Sequence, residues 1–504
     1  TEYGVDYALT IHRAHGTTEN YYTETLGAYI SNTYGDANPL VFSSEDEARA
    51  MVEEYKSTLG INTEAGDIVD ENLTITLQPQ TSVVVMDQYT GQVKAIVGGR
   101  GAKTTSLSLN RATDSTRQPG SCFKVLSTYA PGLNECGMTL ATTIKDEPYR
   151  YASGQQVNNW DGKYIGQARV RYAIEHSMNV CAVRTLTETV GLEKGYQYLQ
   201  KFGFTTLVNN DPDYPGMSDV AQSTALGGIT RGVYNIEMTA AYAAIANGGV
   251  YTEPILYTQI LDHDGNVLID NSAPETHEVI KDSTAYLLTS AMEDVITRGT
   301  GTTARLSNMP VAGKTGTTEN STDLWLSAYT PYYTASVWGG YDANKHMENM
   351  SQSWHMVIWR NIMQRIHEGL AYKDFTVPSS VVQKTICTQT GKLAVDGCPS
   401  LTEYFDKDTV VKEVCEGHKT EEPEETEDNT DENTDSNNGN STTTPGTPSD
   451  GTGGNGDNTG DGDNTGGGDN TGGGNTGGDS GGGNTGGGDS GGGGSGETTT
   501  PPAP

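Results

Sequence analysis

A proline and a glycine, Pro119-Gly120, stop whatever regular structure precedes them, and the chain then reads Ser121-Cys122-Phe123-Lys124. The run Cys122 to Leu126 has the composition of a helix start, which places Ser121 in a first helical turn. Residues three apart share a helix face, so the Lys124 amine is expected beside the Ser121 hydroxyl. A helix N-terminus adds free N–H groups and a positive field. A hydroxyl, an amine to take its proton and donors for an oxyanion are the parts of an acyl-transfer site. Alone, the Ser-x-x-Lys spacing is common by chance, and on that spacing a helix cap with a solvated lysine is the better reading.

Two further polar clusters lie downstream, Ser177-Met178-Asn179 and Lys314-Thr315-Gly316-Thr317-Thr318. The first interrupts the helical spacing of Val170 to Val190, so a junction between two helices is expected there. His176 precedes Ser177, but adjacent helical residues do not face each other, which argues against a Ser-His pair. The second lies in Pro310 to Thr318, which reads as an edge strand. Gly313-Lys314-Thr315 invites a phosphate-loop reading, but that motif needs a glycine where Asn308 stands.

Ser82 to Asp87 and Gln92 to Val97 read as a hairpin turned at Tyr89-Thr90-Gly91, with Leu324 to Tyr329 and Tyr333 to Tyr341 as two further strands. Helices are expected from Ser44 through Tyr55, at Ile236 to Ala246 with Asn235 as its cap, from Asp282, and at Trp354 to His367. These elements imply an α+β fold: an antiparallel sheet covered by helices on both faces, with an all-helical subdomain.

The formal charge of the 504 residues is −34, but half of the acidic excess sits after Thr420, where the chain has no basic residue. The remainder is still acidic, which argues against nucleic acid as a partner. The tail 420–504 repeats Gly, Asn, Asp and Thr without one aromatic residue, and such a composition predicts disorder. Four segments follow: a mixed linker region 1–72, a catalytic domain 73–375, a cysteine-containing segment 376–419 and the tail 420–504. No run approaches the ~18 apolar residues of a membrane span. The first residue is Thr, so the chain reads as a fragment or processed form. Cys387 and Cys398 flank an expected hairpin turn, where a disulfide and free thiols are both open readings. Cys415 and His418 form a Cys-x-x-His pair, but the close cysteine pair usual in a zinc site is missing. No metal or cofactor is therefore expected.

The ordered set RQPGSCFK (117–124), Ser177-Met178-Asn179 and KTGTT (314–318) closely resembles the transpeptidase domain of class A penicillin-binding proteins. Supporting stretches are Asp87 to Arg100, Asn110 to Thr113 and Thr297 to Gly301, and the resemblance covers roughly 73–370. It implies a β-lactamase/transpeptidase-like fold and peptidoglycan D,D-transpeptidase activity through a serine acyl-enzyme, with stem peptides and β-lactams as partners. It also implies site roles. Ser121 is the nucleophile, Lys124 its base, Ser177 a proton relay, Asn179 a holder of Lys124 and substrate, and Lys314 the neighbouring cation. Thr315, Gly316, Thr317 and Thr318 would line the substrate carboxylate. Relatives of this layout usually carry a membrane anchor and a glycosyltransferase domain, which implies a bifunctional parent on the extracytoplasmic face of a bacterial membrane. Where relatives commonly have Ser or Thr, this chain has Cys122, for which a packing role is expected. A class A β-lactamase would need a Glu-x-x-Leu-Asn stretch between the second and third motifs, and none lies between Asn179 and Lys314. The same three motifs also suit a D,D-carboxypeptidase, or a non-catalytic protein that binds β-lactams as a sensor.

Overall fold

The computed structural model describes residues 1–36, 39–103, 106–347 and 350–418. The disordered tail expected at 420–504 lies outside the described residues. The fold is α+β, and its centre is a five-stranded antiparallel sheet. From one edge inward the strands are Ala312–Thr317, Asp323–Tyr329, Thr334–Gly340, Gln80–Met86 and Val93–Val97. Among the described residues the Lys314 strand is thus an edge strand of the sheet.

Alternation along the central strands splits the core in two, because successive side chains leave a strand on opposite faces. Val83, Val85, Leu326, Ala328, Ala335 and Val337 pack with Trp359 and Met363 of helix Trp354–Ile366. On the other face, Ala312, Trp325, Tyr329 and Trp338 join the larger core with helices Asn235–Ala246 and Asp282–Thr297. Both faces are therefore covered, as the apolar pattern predicts. Helix Asn235–Ala246 is buried almost all round, and its small alanines allow that close approach.

One local expectation needs correction. Asn235 does not cap its helix; Tyr234 occupies that position. The Asn235 side chain donates instead to the Ser82 carbonyl and hydroxyl, at 3.0 and 2.9 Å, and ties helix to sheet. The stretch read as a linker also has a core of its own. Strands Glu2–His12, Thr18–Tyr22, Val41–Phe42 and Ile68–Gln78 form a sheet, on which helices Thr23–Tyr34 and Glu45–Thr58 pack through Leu26, Ile30, Val52 and Tyr55. Ser44 caps the second helix by accepting from the Glu47 N–H, and its acidic first turn suits the helix dipole.

After the sheet comes a hairpin of strands Val381–Cys387 and Ser400–Asp406. It is held to the larger core by Glu403, which is fully buried and accepts from Arg171 at 2.6 Å. Arg171 also pairs with Asp294 at 2.7 Å. Among the described residues no helix is long and apolar enough to cross a membrane.

Candidate active site

The loop that carries Ser121, the candidate nucleophile, is clamped from both sides. Arg117 makes a buried ion pair with Asp323 at 2.7 Å, and its guanidinium lies 4.8 Å from the Trp338 ring centroid. Trp338 Nε1 donates to the same Asp323 oxygen at 2.9 Å. Gln118 donates through Nε2 to the Ile229 carbonyl and accepts from the Ile229 N–H, while Trp325 Nε1 donates to the Gln118 carbonyl. Asp323→Ala would leave a buried guanidinium unpaired, a change that costs ~3–5 kcal/mol. The expected result is a loss of that size in denaturant-unfolding free energy; an unchanged midpoint and slope would contradict this role of the pair.

Gly120 then turns the chain at φ 54°, a left-handed conformation that glycine adopts without steric cost. The close approach requires glycine as well, since a Cβ at Gly120 would lie 2.9 Å from the Thr317 carbonyl oxygen. Gly316 meets the loop from the other side. A Cβ there would sit 2.6 Å from the Pro119 oxygen and 2.9 Å from Cys122 Sγ. Gly316 thus lets the edge strand lie against the Ser121 loop. The helix start itself is irregular. A tight 3₁₀ turn over Gly120–Cys122 gives way to wide π-type turns over Lys124–Tyr129 and then to α-helix over Ala130–Asn134.

Lys124 is completely buried, and its amine has a full set of partners. Nζ donates to the Ser177 carbonyl and to Asn179 Oδ1, both at 2.5 Å, and lies 3.2 Å from the Ser177 hydroxyl. Lys314 arrives from the edge strand, also completely buried, and donates to the same Ser177 hydroxyl at 2.8 Å. Three motifs distant in sequence therefore meet at one oxygen atom. Ser177 holds φ 54°, an uncommon conformation for a residue with a side chain. Strained backbone of this kind is retained where surrounding contacts over-determine it.

Burial and like charge set the protonation of the two amines. Desolvation, then the adjacent Lys314 cation, lowers the Lys124 pKa well below its ordinary value. Desolvation lowers Lys314 to about 8, with Cys122 opposing the shift. Burial and the neighbouring cation thus favour the neutral form of Lys124. A neutral Lys124 can donate to the Ser177 carbonyl and Asn179 and keep its lone pair for a hydroxyl proton.

The substrate-binding candidates divide by position. Thr317 is exposed beside Gly120. The Thr315 hydroxyl lies 2.7 Å from the Thr300 hydroxyl. Thr318 is turned into the loop that follows, where its hydroxyl accepts from the Asp323 N–H at 2.9 Å and lies 2.8 Å from Thr322 Oγ1. Cys122 is fully buried, with Sγ 3.4 Å from the Lys314 carbonyl, and burial pushes its thiol up to about 11. It packs behind the site, as expected.

Sequence reasoning missed the support beneath the second motif. Asn159 Oδ1 accepts from the backbone N–H groups of Asn179 and Val180, and Asn159 Nδ2 donates to buried Asp146 at 2.8 Å. The Asn158 carbonyl accepts from Asn179 Nδ2. These residues lie in a loop and a short strand without periodicity, so only the two-asparagine run beside an exposed Trp160 marked the place.

Residues 81–364, more than half of the chain, match the penicillin binding protein transpeptidase domain. The chain belongs to the penicillin-binding protein transpeptidase family. Residues 377–420 match the penicillin-binding protein 1A C-terminal domain. Among curated relatives of this penicillin-binding protein family, penicillin-binding protein 1A of Clostridium tetani is 32% identical over 393 residues, covering 75% of this chain and 48% of its own length. That of Clostridium acetobutylicum is 37% identical over 319 residues, covering 61% and 38%. The chain spans about half or less of the length of these relatives. Solved penicillin-binding protein 1A of Haemophilus influenzae superposes with a TM-score of 0.58 at 23% identity, covering 82% of this chain and 64% of that one. The PonA1 protein of Mycobacterium tuberculosis, solved in complex with penicillin V, gives 0.53 at 24%, covering 60% and 82%. At these identities the structural likeness concerns the fold.

Proposed function

We propose that the chain carries a peptidoglycan D,D-transpeptidase site that works through a serine acyl-enzyme and is acylated by β-lactams. The observation that carries this reading is the convergence of Lys124 and Lys314 on the Ser177 hydroxyl, with Lys124 three residues after Ser121 in the chain. Family membership and the relatives' names support the same reading.

In this mechanism neutral Lys124 takes the Ser121 proton as the oxygen attacks the carbonyl between two D-alanines. The backbone N–H groups of Ser121 and Thr317 face the developing oxyanion, each donor contributing ~3 kcal/mol. Lys314 remains protonated, holds the Ser177 oxygen and presents positive charge toward the substrate carboxylate beside Thr315 and Thr317. The proton passes from Lys124 through Ser177 to the leaving D-alanine amine. An amine from a second stem peptide then attacks the ester, which restores Ser121 and forms the cross-link. Ser121, Lys124, Ser177, Asn179 and Lys314 are the catalytic set. Thr315 and Thr317 bind substrate, and Gly316 and Thr318 shape the strand that holds them.

The family resemblance, with a chain that spans about half or less of its relatives' length, supports a parent protein that is membrane-anchored, carries a glycosyltransferase and works on the extracytoplasmic side. A peptide ending in D-Ala-D-Ala, incubated with the chain and an added amine acceptor, should yield the amide-linked product with release of D-alanine. Hydrolysis alone, unaffected by acceptor concentration, would point to a carboxypeptidase instead. Stable acylation without turnover of peptide or thioester would point to a sensor.

A further inference from the structure

Of the two open readings for Cys387 and Cys398 the structure shows free thiols, and all six cysteines are unbridged. The hairpin instead gathers three of them with a histidine. The Sγ atoms of Cys387, Cys398 and Cys415 and a ring nitrogen of His418 all lie within 4.8 Å of one another. His418 Nε2 is 3.0 Å from Cys387 Sγ and 3.7 Å from Cys415 Sγ. We propose that Cys387, Cys398, Cys415 and His418 form a structural zinc site that clips the C-terminal segment together, a site independent of the acyl-transfer reading.

Four ligand atoms at the corners of a tetrahedron, with Zn–S of ~2.3 Å and Zn–N of ~2.0 Å, stand ~3.5–3.8 Å apart. The observed set, with separations from 3.0 to at most 4.8 Å, needs shifts of about an ångström or less to reach that geometry. A disulfide is the poorer use of the same atoms, since it pairs two sulfurs and strands the third beside them. The donor set is soft and contains no carboxylate, which favours zinc over magnesium or calcium. Four protein ligands also close the coordination sphere, as in structural rather than catalytic sites.

The backbone is shaped to bring these donors together from three stretches of chain. Cys387 ends strand Val381–Cys387, and its N–H donates to the Lys392 carbonyl across a turn in which Gly391 has φ 71°. Cys398 lies just before the return strand, within reach of both other sulfurs. Cys415 is docked by its N–H on the Leu393 carbonyl at 2.8 Å. Gly417, at φ 85°, then turns the chain so that His418 faces the two sulfurs. The close cysteine pair that the sequence lacks is thus replaced by turns that fold distant cysteines onto one point.

The segment also has a physical need for a clip. Its own core consists of Ile386 and Phe405 against Ala141, with Val382, Leu401, Val410 and Val411 partly buried around them. A core of that size supplies little stability, and small units of this kind are commonly held by metals or disulfides.

The test uses the whole 504-residue chain, purified under reductant without a histidine tag and without added metal. Elemental analysis should find about one zinc per chain. Cobalt substituted for it should show the visible bands of a tetrahedral site with thiolate-to-cobalt charge transfer. Cys398→Ser and His418→Ala should each lower zinc affinity at least ~10-fold, while Cys136→Ser should leave it unchanged. Chelation should speed amide exchange in 381–418 in the unaltered chain, a readout that does not depend on the variants folding. Sub-stoichiometric metal with three titratable thiols would overturn the proposal, as would an intact mass lacking two hydrogens from a disulfide in this cluster.

Discussion

Ser121→Ala is expected to lose acylation by a labelled β-lactam by at least ~10⁵-fold, with an unchanged fold. The substitution removes one partly exposed oxygen from a loop whose position is set by other residues. Arg117, Gln118 and Pro119 are anchored to Asp323, Ile229 and the edge strand, and none of those contacts involves the Ser121 side chain. Cys122 cannot take over. Its sulfur is fully buried against the Lys314 carbonyl, and its raised pKa keeps it a thiol at neutral pH. Intact-mass analysis after penicillin treatment, with mapping of the modified peptide, should find the adduct on Ser121 in the unaltered chain and nowhere in the variant. Label persisting on another residue would contradict the assignment.

The second large effect concerns the base. Lys124→Met, which keeps the buried volume and removes the amine, is expected to lower the acylation rate ~10³-fold, within the range for loss of a positioned general base. Some stability should be lost too, because the Ser177 carbonyl and Asn179 Oδ1 lose the donor they share; each unsatisfied buried acceptor costs ~1–3 kcal/mol. Rates measured well below the unfolding transition separate the two effects. A variant that acylates within a few-fold of the unaltered chain would remove Lys124 from the mechanism. Lys314→Ala is distinguished by its pattern, since acylation rate and affinity for the substrate carboxylate should fall together.

Much of this site was legible because its parts are local. Pro119-Gly120 marks the turn, after which Ser121 lies in the 3₁₀ turn Gly120–Cys122 and Lys124 opens the wider helical stretch that follows. The break in helical spacing at Ser177 corresponds to a real junction between helices Val170–Glu175 and Asn179–Thr185. Apolar residues at 82–86, 324–329 and 334–340 mark the strands, because each is buried on both faces between helices. What stayed hidden depends on contacts between remote residues. Nothing local ties Asn159 to Asn179, Asn235 to Ser82 or Glu403 to Arg171. Thr318 resembled its neighbours in the motif, yet the chain turns after Thr317 and directs that hydroxyl to Asp323. The cysteine cluster was hidden for the same reason. Its proposed ligands lie in separate turns, and strand pairing and three positive-φ glycines, Gly391, Gly397 and Gly417, bring them together.

The central claim is that one buried amine is held neutral next to another that stays charged, so that the first can activate Ser121. The pH dependence of the second-order acylation rate tests it most directly, with a chromogenic β-lactam as reporter. On the acid side the rate should fall as Lys124 takes up a proton, at a midpoint well below the ordinary lysine value. On the alkaline side it should fall again near pH 8, as Lys314 loses its charge. The two limbs belong to the interacting pair, and Lys314→Ala should abolish the alkaline one. A bell of that form is the expected result. A rate that climbs steadily to about pH 10, as for an ordinary solvated lysine, would contradict the account.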